Sequence, residues 1–552
     1  MQSNERKVNM AGGYEMMNEK KWLSVYPDSI SKEIIVPEFP MQRILQNACQ
    51  SYPNNTAITF YDRKISYQEL FHASQAFASA LQKKGVQKGD RVAIMLPNCP
   101  QYVIAYYGSL TTGAIITQIN PMLVERELQH ILQDSGAETI VVLDGLYPKV
   151  KSVQQHANVK NIIAVSLQPS DADFQPDASF DQFMKTGDGK INPVSIDPEN
   201  DIAVLQYTGG TTGRSKGAML THSNILANVV QSYEFFKHEL KMGSERTLSV
   251  IPLFHVFGMT SAMNLSVYIA GDSIMLPRFE IEEVLETIKR EQPTTFPGVP
   301  TMYVALTNHP KAEEYGMGSI QVCNSGSAPM PVELLREFER KSGAKILEGY
   351  GLTEASPTTH CNPVFAERKP GSVGIGIPST EYKVMDLGDG TKEVAPGELG
   401  ELVVKGPQVM KGYWNMPEET AVTLRNGWLY TGDIAKVDED GYLYIVDRKK
   451  DLIIASGYNI YPRDVEEVLY EHPAVQEAVV IGVPDAYRGE SVKAVLVLKN
   501  EKTANEREII DYCRANLSAY KVPHFVEFRE ELPKTNVGKI LRRALREELS
   551  RK

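Results

Sequence analysis

Cysteine is scarce in this sequence, and the few cysteines present form no recognisable framework. There are five, an odd number, and no two of them are spaced as Cys-x-x-Cys. This pattern argues against a disulfide framework and against a zinc site, and it is typical of proteins of a reducing cytoplasm. No cysteine has neighbours that mark it as a nucleophile.

Long apolar runs and an excess of positive charge are also absent. No window approaches 18 uninterrupted apolar residues, so we expect no membrane span. Residues 1–25 are polar and Met-rich, lack the apolar core of a signal peptide, and are expected to be a poorly ordered leader. The formal net charge of −11 argues against a nucleic-acid partner but leaves room for a local basic patch that binds an anionic substrate.

A loop rich in glycine, hydroxyl and basic side chains, YTGGTTGRSKG, covers residues 207–217. Glycines let a ligand approach the main chain, and successive inward-facing N–H groups bind anions. Hydroxyls and cations around such a backbone suit a polyphosphate. The loop is not a P-loop, because Lys216 precedes Gly217 whereas the P-loop motif needs the lysine after the glycine. A mobile surface linker is the alternative interpretation.

The part of the chain that precedes this loop alternates short apolar runs with helical patterns. Runs at residues 91–96, 114–119, 139–144 and 161–166 are typical of buried strands, and residues 68–85 have the apolar spacing of an amphipathic helix. Such alternation predicts an α/β fold with βα units around mainly parallel sheets. A chain of 552 residues is also too long for one core, so two or more domains are expected.

The pattern changes near residue 441. A charged cluster, Asp447 to Asp451, separates two apolar runs, and a helix, two strands, a second helix and a basic tail follow. We therefore predict a large N-terminal domain at residues 26–449 and a small, mobile α+β domain at residues 450–552. A short polar link between two cores is where domains hinge.

Several further motifs are not explained by packing. They are EGYGLTEASP at 348–357, NGWLYTGDIA at 426–435, DRKKD at 447–451 and PKTNVGKI at 533–540. Each alone is a weak signal, but in this order they resemble the adenylate-forming superfamily of acyl-CoA synthetases, adenylation domains and luciferases. Within it, the stretches KGPQVMKGYWN and DRKKDLIIASGYNIYPRDVEEVLY are most similar to bacterial long-chain fatty-acid–CoA ligases.

The resemblance implies a reaction in two halves. A fatty-acid carboxylate attacks the α-phosphate of ATP to give acyl-AMP and pyrophosphate, and the thiol of coenzyme A then displaces AMP. Fatty acid, ATP and coenzyme A are thus the expected substrates, with Mg²⁺ as cofactor. A lipid substrate is compatible with peripheral membrane association of a cytoplasmic enzyme, and homodimers occur in the family.

The resemblance also assigns roles to individual residues of the nucleotide site. The residues predicted around the β- and γ-phosphates are Thr208, Thr211, Thr212, Ser215 and Lys216. Those predicted around the adenine are Tyr350 and Gly351, with the backbone of Gly326, Ser327 and Ala328 on the other side. Thr353 is expected at the α-phosphate, Asp433 and Arg448 at the ribose, and Glu354 with Thr208 at Mg²⁺.

The remaining roles concern chemistry and movement. Lys539 is expected to bridge the carboxylate and the α-phosphate, where charge develops in the transition state. His255 is expected to gate the carboxylate side, and Gly298 and Val299 to line the acyl pocket. Lys450 is the predicted hinge, and Gly457 is predicted to line the coenzyme A channel.

Three alternatives stay open at this stage. The chain could be a fatty acyl-AMP ligase that loads a carrier protein, a ligase of the same superfamily for aryl or other acids, or a non-catalytic sensor. The presence of Glu354, Asp433 and Lys539 together argues against the sensor. Acyl chain length is not fixed by the sequence, because discrimination per methylene is only about 1–3 kcal/mol.

Overall fold

The computed structural model describes most of the chain. The described residues are 20–167, 178–208, 215–328, 330–449, 451–455, 458–485, 487–500, 502–535 and 540–550. Of the predicted site residues, five fall outside them: Thr211, Thr212, Lys450, Gly457 and Lys539.

Helices and strands alternate along much of the described chain. The helices are α1 (Arg43–Ser51), α2 (Tyr67–Lys83), α3 (Pro100–Thr111), α4 (Glu125–Ser135), α5 (Tyr147–Ala157), α6 (Phe180–Thr186), α7 (His222–Phe236), α8 (Leu265–Tyr268), α9 (Ile281–Glu291), α10 (Pro300–Asn308), α11 (Val332–Ser342), α12 (Pro417–Thr423), α13 (Pro462–Tyr470), α14 (Glu506–Asn516) and α15 (Arg542–Ser550). A π-helical segment (Gly258–Asn264) precedes α8, and a 3₁₀ turn (Thr353–Ala355) lies in the EGYGLTEASP motif.

The strands form four sheets. They are β1 (Thr56–Phe60), β2 (Arg63–Ser66), β3 (Arg91–Met95), β4 (Ile115–Gln118), β5 (Thr139–Leu143), β6 (Asn161–Val165), β7 (Ala178–Ser179), β8 (Ile202–Thr208), β9 (Lys216–Thr221), β10 (Arg246–Ser249), β11 (Asp272–Met275), β12 (Thr295–Gly298), β13 (Val322–Ser325), β14 (Lys345–Gly351), β15 (Thr358–Cys361), β16 (Ile375–Gly376), β17 (Glu381–Met385), β18 (Gly400–Lys405), β19 (Gly412–Tyr413), β20 (Leu424–Arg425), β21 (Trp428–Val437), β22 (Leu443–Arg448), β23 (Ile453–Ala455), β24 (Tyr458–Ile460), β25 (Val475–Asp485), β26 (Gly489–Leu498) and β27 (Phe525–Phe528).

The four apolar runs of the first half are strands β3 to β6, as the sequence predicts. They lie in a sheet of order β19-β9-β8-β4-β3-β5-β6-β7, in which β3 to β8 pair in parallel and β9 runs antiparallel to both β8 and β19. The predicted helix at residues 68–85 is α2. Ser66 caps its N-terminus, because the Ser66 side chain accepts a hydrogen bond from the Glu69 amide.

A second large sheet has the order β16-β15-β14-β13-β12-β10-β11-β1-β2. Its central strands are parallel, and the pairs at both ends are antiparallel. The largest apolar cluster joins side chains of both large sheets and includes three fully buried tyrosines of α3: Tyr102, Tyr106 and Tyr107. The mainly parallel α/β architecture predicted from the sequence is confirmed.

A third sheet was not distinguished in the sequence. Strands β17, β18, β20, β21 and β22 pair only in the antiparallel sense, and they carry the NGWLYTGDIA motif on β21. Their alternation of buried and exposed residues spans only short stretches, and loops interrupt it. The periodicity was therefore too weak to separate this sheet from the βα units around it.

The last part of the chain builds a small sheet of its own, of order β24-β23-β26-β25, with β27 beside β26. Helices α13 and α14 pack on it, and residues such as Val465, Val480 and Ile509 form a separate buried cluster. The α+β arrangement predicted after residue 450 is thus present. The exact domain boundaries and the mobility of this part stay predictions.

A cluster of charges joins the last helix to the segment around residue 450. Arg542 Nη2 of α15 lies 2.6 Å from the Glu466 carboxylate, and its Nη1 lies 3.6 Å from that of Asp447. Arg546 Nη1 lies 3.0 Å from Asp451 Oδ1. Burial raises the pKa of Asp447 to about 6, although Arg542 opposes the shift. Helix α15 therefore contacts the chain on both sides of residue 450.

The end of the predicted leader is packed against the third sheet. Residues 1–19 lie outside the described residues, but Lys21–Ser24 form a 3₁₀ turn, and the ring centroid of Trp22 lies 4.1 Å from that of Tyr382. An indole on a tyrosine ring buries a large apolar area, which orders this stretch. Among the described helices, none is both long and apolar enough to cross a membrane.

Candidate active site

The glycine-rich loop lies in the chain between β8 and β9, which pair in the antiparallel sense as a hairpin. Thr208 pairs with Lys216 across the two strands, and Ser215 Oγ donates to the Thr208 carbonyl at 2.6 Å. Strand β9 lies between the loop and α7, and Thr221 is the N-cap of α7.

The first prediction concerns this loop, whose residues 209–214 lie outside the described ones. Gly210→Val should lower pyrophosphate release at least tenfold more than Thr211→Ser, because a side chain there blocks the approach of the phosphates to the backbone, whereas serine keeps the hydroxyl. Pyrophosphate release during adenylation is the measurement. Equal effects from the two variants would favour the linker interpretation.

Lys216 lies at the base of the hairpin and has two partners. Its Nζ is 2.5 Å from Glu419 Oε2 of α12 and 5.2 Å from the centre of the Tyr413 ring. The lysine side chain is only 12% exposed, while that of Glu419 is 43% exposed. The ammonium group is therefore held at the mouth of the loop by one carboxylate and one aromatic face.

Tyr413 also contacts Glu354, the predicted Mg²⁺ ligand, and so connects it to Lys216. The Tyr413 hydroxyl donates to Glu354 Oε1 at 2.6 Å, and burial together with Glu354 raises the pKa of Tyr413, so this hydroxyl stays protonated. The Met410 amide donates to the Glu354 carbonyl at 2.8 Å. Thr353 begins the 3₁₀ turn that carries Glu354.

Gly351 allows this turn to fold close to the neighbouring strand. A Cβ built on Gly351 would lie 2.2 Å from the Pro357 carbonyl oxygen, a distance at which no side chain fits. The Leu352 amide donates to the same carbonyl at 3.0 Å. The second glycine of the GYG motif is therefore required by the close packing that places Thr353 and Glu354.

The predicted adenine residues lie at the carboxyl ends of neighbouring strands of the second sheet. In the register, Gly298 of β12 pairs with Ser325 of β13, which pairs with Glu348 of β14. Gly326 to Ala328 follow β13, and Gly349 to Gly351 end β14 beyond its pairing with β13, where they pair with β15. Ligands of parallel α/β sheets bind at the carboxyl ends of the strands.

The predicted ribose residues come together with Tyr350. Asp433 of β21 is the cross-strand partner of Arg448 of β22, whose Nε lies 3.6 Å from Asp433 Oδ1. The Tyr350 hydroxyl donates to Asp433 Oδ2 at 2.5 Å. Burial, and then Asp433, raises the pKa of Tyr350, so the tyrosine remains a donor. This hydrogen bond links the second and third sheets.

His255 lies in a loop that side chains of the first sheet hold. Gln206 of β8, two residues before Thr208, donates from Nε2 to the Phe254 carbonyl at 3.1 Å. The Phe257 amide donates to His255 Nδ1 at 3.3 Å, and a Cβ on Gly326 would lie 3.2 Å from the Phe257 ring. The His255 loop therefore connects the phosphate hairpin with the predicted adenine segment.

The two predicted acyl-pocket residues lie at the end of β12: Gly298 is its last residue, and Val299 follows it. Val299 is buried and is the N-cap of α10, and Gly298 faces the Tyr303 ring, which a Cβ would meet at 3.0 Å. The Tyr303 hydroxyl donates to the Phe296 carbonyl at 2.8 Å. A leucine at position 298 would thus displace Tyr303 before it shortened a pocket, so this substitution is a poor test of the pocket assignment.

Comparison with known proteins agrees with this geometry. The profile described as AMP-binding enzyme matches residues 45–414, and the profile described as AMP-binding enzyme C-terminal domain matches residues 464–539. The chain belongs to the AMP-binding enzyme family.

Individual relatives and solved structures show which enzymes of the family the chain is similar to. A Bacillus subtilis protein named long-chain-fatty-acid–CoA ligase is 48% identical over 97% of this chain and 99% of its own. The anthranilate CoA ligase AuaEII in complex with anthranoyl-AMP is 29% identical, with a TM-score of 0.86 over 94% of this chain and 98% of its own. ATP-bound MatB from Rhodopseudomonas palustris is 31% identical, with a TM-score of 0.84 over 92% of this chain and 99% of its own.

Three residues that support the site of this AMP-binding enzyme were missed in the sequence. Tyr413 contacts both Lys216 and Glu354, as described above. Glu348 accepts from the amides of Met330 and Gly371, and burial raises its pKa to about 7. Glu401 accepts from the Gly432 amide at 3.2 Å and contacts Lys449. Glu348 and Tyr413 stood in quoted motifs, but nothing in those motifs shows which side chains they reach.

Proposed function

We propose that this AMP-binding enzyme is an ATP-dependent long-chain fatty-acid–CoA ligase that works through acyl-AMP. The near-full-length similarity to the Bacillus subtilis ligase carries the proposal. The clustering of Tyr350, Asp433 and Arg448 beside the Thr353–Glu354 turn supports the nucleotide half of it.

In the first half-reaction, a carboxylate oxygen of the fatty acid attacks the α-phosphorus of ATP. The bond between the α-phosphorus and its bridging oxygen breaks, and pyrophosphate leaves with the electron pair. Thr208, Ser215 and Lys216 bind the leaving phosphates at the hairpin, with Thr211 and Thr212 of its tip. Asp433 accepts hydrogen bonds from the ribose hydroxyls, and Arg448 fixes the carboxylate of Asp433 from the other side.

Lys539 and Thr353 act at the reacting phosphate. The ammonium of Lys539 neutralises charge that develops between the carboxylate and the α-phosphate, where a fixed cation has its largest effect on rate. In the second half-reaction the sulfur of coenzyme A attacks the acyl carbon, AMP leaves, and the thiol proton is released. His255 gates the acyl carboxylate side, and Gly457 lines the channel for the pantetheine arm.

The donor set around Glu354 fits Mg²⁺. Within the described residues, no group of three or more His, Cys, Asp or Glu side chains could hold a metal ion by itself. Mg²⁺ commonly uses one or two carboxylates together with substrate phosphates, and Glu354 with the Thr208 hydroxyl supplies such oxygen ligands beside the phosphate hairpin. When bound, the ion neutralises charge on the phosphates.

A second prediction tests the proposed function. Purified protein with ATP, Mg²⁺ and palmitate should release AMP continuously only when coenzyme A is present, because acyl-AMP otherwise stays on the enzyme. Palmitoyl-CoA should be the product, and anthranilate in place of palmitate should give little AMP. AMP and acyl-CoA are measured by chromatography.

Each other outcome of this assay points to another function. A product that needs a carrier protein rather than coenzyme A would identify a fatty acyl-AMP ligase, faster turnover of anthranilate would identify an aryl-acid ligase, and no AMP at all would indicate a sensor. Peripheral membrane association and a homodimer remain predictions from the lipid substrate and the family resemblance.

A further inference from the structure

The stretch KGYWNMPEET, residues 411–420, begins within the motif KGPQVMKGYWN, to which the sequence analysis assigned no role. Its strand β19 runs antiparallel to β9, with Tyr413 opposite Ala218, and the Trp414 amide donates to the Gly217 carbonyl at 2.8 Å. Trp414 Nε1 donates to the Asp134 carbonyl at 3.0 Å. The stretch is thus fastened along the outgoing strand of the phosphate hairpin.

This arrangement brings an acid to the lysine that we assign to the phosphates. Glu419 Oε2 lies 2.5 Å from Lys216 Nζ. The strand that carries Lys216 is fixed on both sides by β8 and β19, and its ammonium group lies over the Tyr413 ring. Glu419 is on the short helix α12, and its side chain is 43% exposed. Its carboxylate is therefore accessible to water, whereas the Lys216 side chain is largely buried.

A carboxylate and a polyphosphate are both anions, and they compete for one ammonium group. If Glu419 stayed at 2.5 Å from Lys216 while the phosphates bound, two like charges would lie within a few ångströms of each other. The half-exposed glutamate is the partner that can move, because Lys216 is packed and the phosphates are held by the loop.

We propose that Glu419 is a displaceable counter-ion of Lys216, which holds the lysine in place before ATP binds and weakens the binding of pyrophosphate after adenylation. The inference rests on the proposed function, since it takes Lys216 as a ligand of the β- and γ-phosphates. Glu419 is a positioning residue with no direct contact to the reacting atoms. Its expected consequence is faster departure of pyrophosphate and a smaller reverse reaction.

The test compares Glu419→Gln with Glu418→Gln, an exposed acid next to it on α12 that serves as the matched control. The dissociation constant of pyrophosphate is measured by calorimetry at low salt, with and without Mg²⁺ and in the absence of fatty acid. Glu419→Gln should bind pyrophosphate about threefold to fivefold more tightly than the unaltered protein, the range of a partly exposed ion pair. Glu418→Gln should bind as the unaltered protein does.

Salt gives a second readout. At about 0.5 M NaCl the difference between Glu419→Gln and the unaltered protein should shrink, because charges at the exposed side of the pair are screened. If Glu419→Gln does not fold, Glu419→Asp should give tightening in the same direction, since it withdraws the carboxylate by one methylene.

Two outcomes have separate meanings. Unchanged or weaker pyrophosphate binding by folded Glu419→Gln would overturn the counter-ion role and leave Glu419 as a support for Lys216. Failure of the unaltered protein to bind either pyrophosphate or ATP would instead contradict the proposed function, and with it the assignment of Lys216.

Discussion

Asp433→Ala is expected to raise the KM for ATP by about 100-fold while the protein stays folded. The carboxylate accepts from both ribose hydroxyls in the proposed complex, and hydrogen bonds to a charged group are worth roughly 1.5–3 kcal/mol each. The loss of two such bonds at the lower end of that range corresponds to about two powers of ten. ATP dependence at saturating fatty acid and coenzyme A is the measurement.

The fold should survive this change because the substitution opens no apolar core. Asp433 lies on β21 at the edge of the site, and its described partners are the Tyr350 hydroxyl and the Arg448 guanidinium. Thermal unfolding of Asp433→Ala should therefore resemble that of the unaltered protein within a few degrees.

A control variant separates the effect of the ribose hydrogen bonds on the KM for ATP from the effect of the Tyr350 hydroxyl. Tyr350→Phe removes the 2.5 Å hydrogen bond to Asp433 but leaves the carboxylate for the nucleotide, so its KM for ATP should rise by less than about tenfold. An unchanged KM for ATP in Asp433→Ala would exclude the ribose role. An equally large effect from Tyr350→Phe would mean that the ring, rather than the carboxylate, determines nucleotide affinity.

The sequence predicted the elements of this enzyme better than the contacts between them. Strands β3 to β6 and helix α2 could be predicted because their patterns are local: apolar runs of four to six residues, and an apolar stripe at helical spacing after a Ser–Glu cap. The family could be recognised because its motifs keep their order along the chain.

The contacts of the site could not be predicted in the same way. Lys216 and Glu419 are separated by 203 residues, and Tyr350 and Asp433 by 83. No periodicity relates such distant positions, because they meet only through the pairing of β9 with β19 and the contact between the second and third sheets. Tyr413 is an example: an aromatic residue in a GYW sequence is usually interpreted as part of a packed core, yet its hydroxyl donates to Glu354.

Lys539→Ala is expected to abolish adenylation and to leave thioester formation largely intact. Removal of one charge-stabilising group from a transition state costs about 3–4 kcal/mol or more, which is roughly 150-fold to 900-fold or more in rate. Thioester formation from supplied acyl-AMP needs no such cation at the α-phosphate, since the phosphoryl transfer is already complete. Lys534→Ala is the matched control, because Lys534 lies five residues earlier and pairs with Glu477 within the C-terminal sheet.

Lys450→Pro should affect the two half-reactions in the opposite way and tests the same mechanism. In the proposed mechanism, Lys539 is at the α-phosphate during adenylation and the coenzyme A thiol later needs access to the acyl carbon, so we expect the C-terminal part to rotate between the two half-reactions. Proline fixes φ near −65° and restricts the residue before it, so it should hold one orientation. Adenylation should then survive at least in part, and thioester formation should fall much further, whereas Lys450→Ala should affect both little.

The described residues next to position 450 have different partners on its two sides. Before it, the Lys449 amide donates to the Gly432 carbonyl at 3.0 Å, which fastens the chain to the strand of Asp433. After it, Asp451 is bonded to Arg546 of α15, the helix that follows the Lys539 segment. A rotation at residue 450 would also break the 3.6 Å contact between Arg542 of α15 and Asp447, which precedes position 450. Each half-reaction is measured separately, with acyl-AMP added for the second, and equal loss of both halves in Lys539→Ala and Lys450→Pro would rule out the two-orientation mechanism.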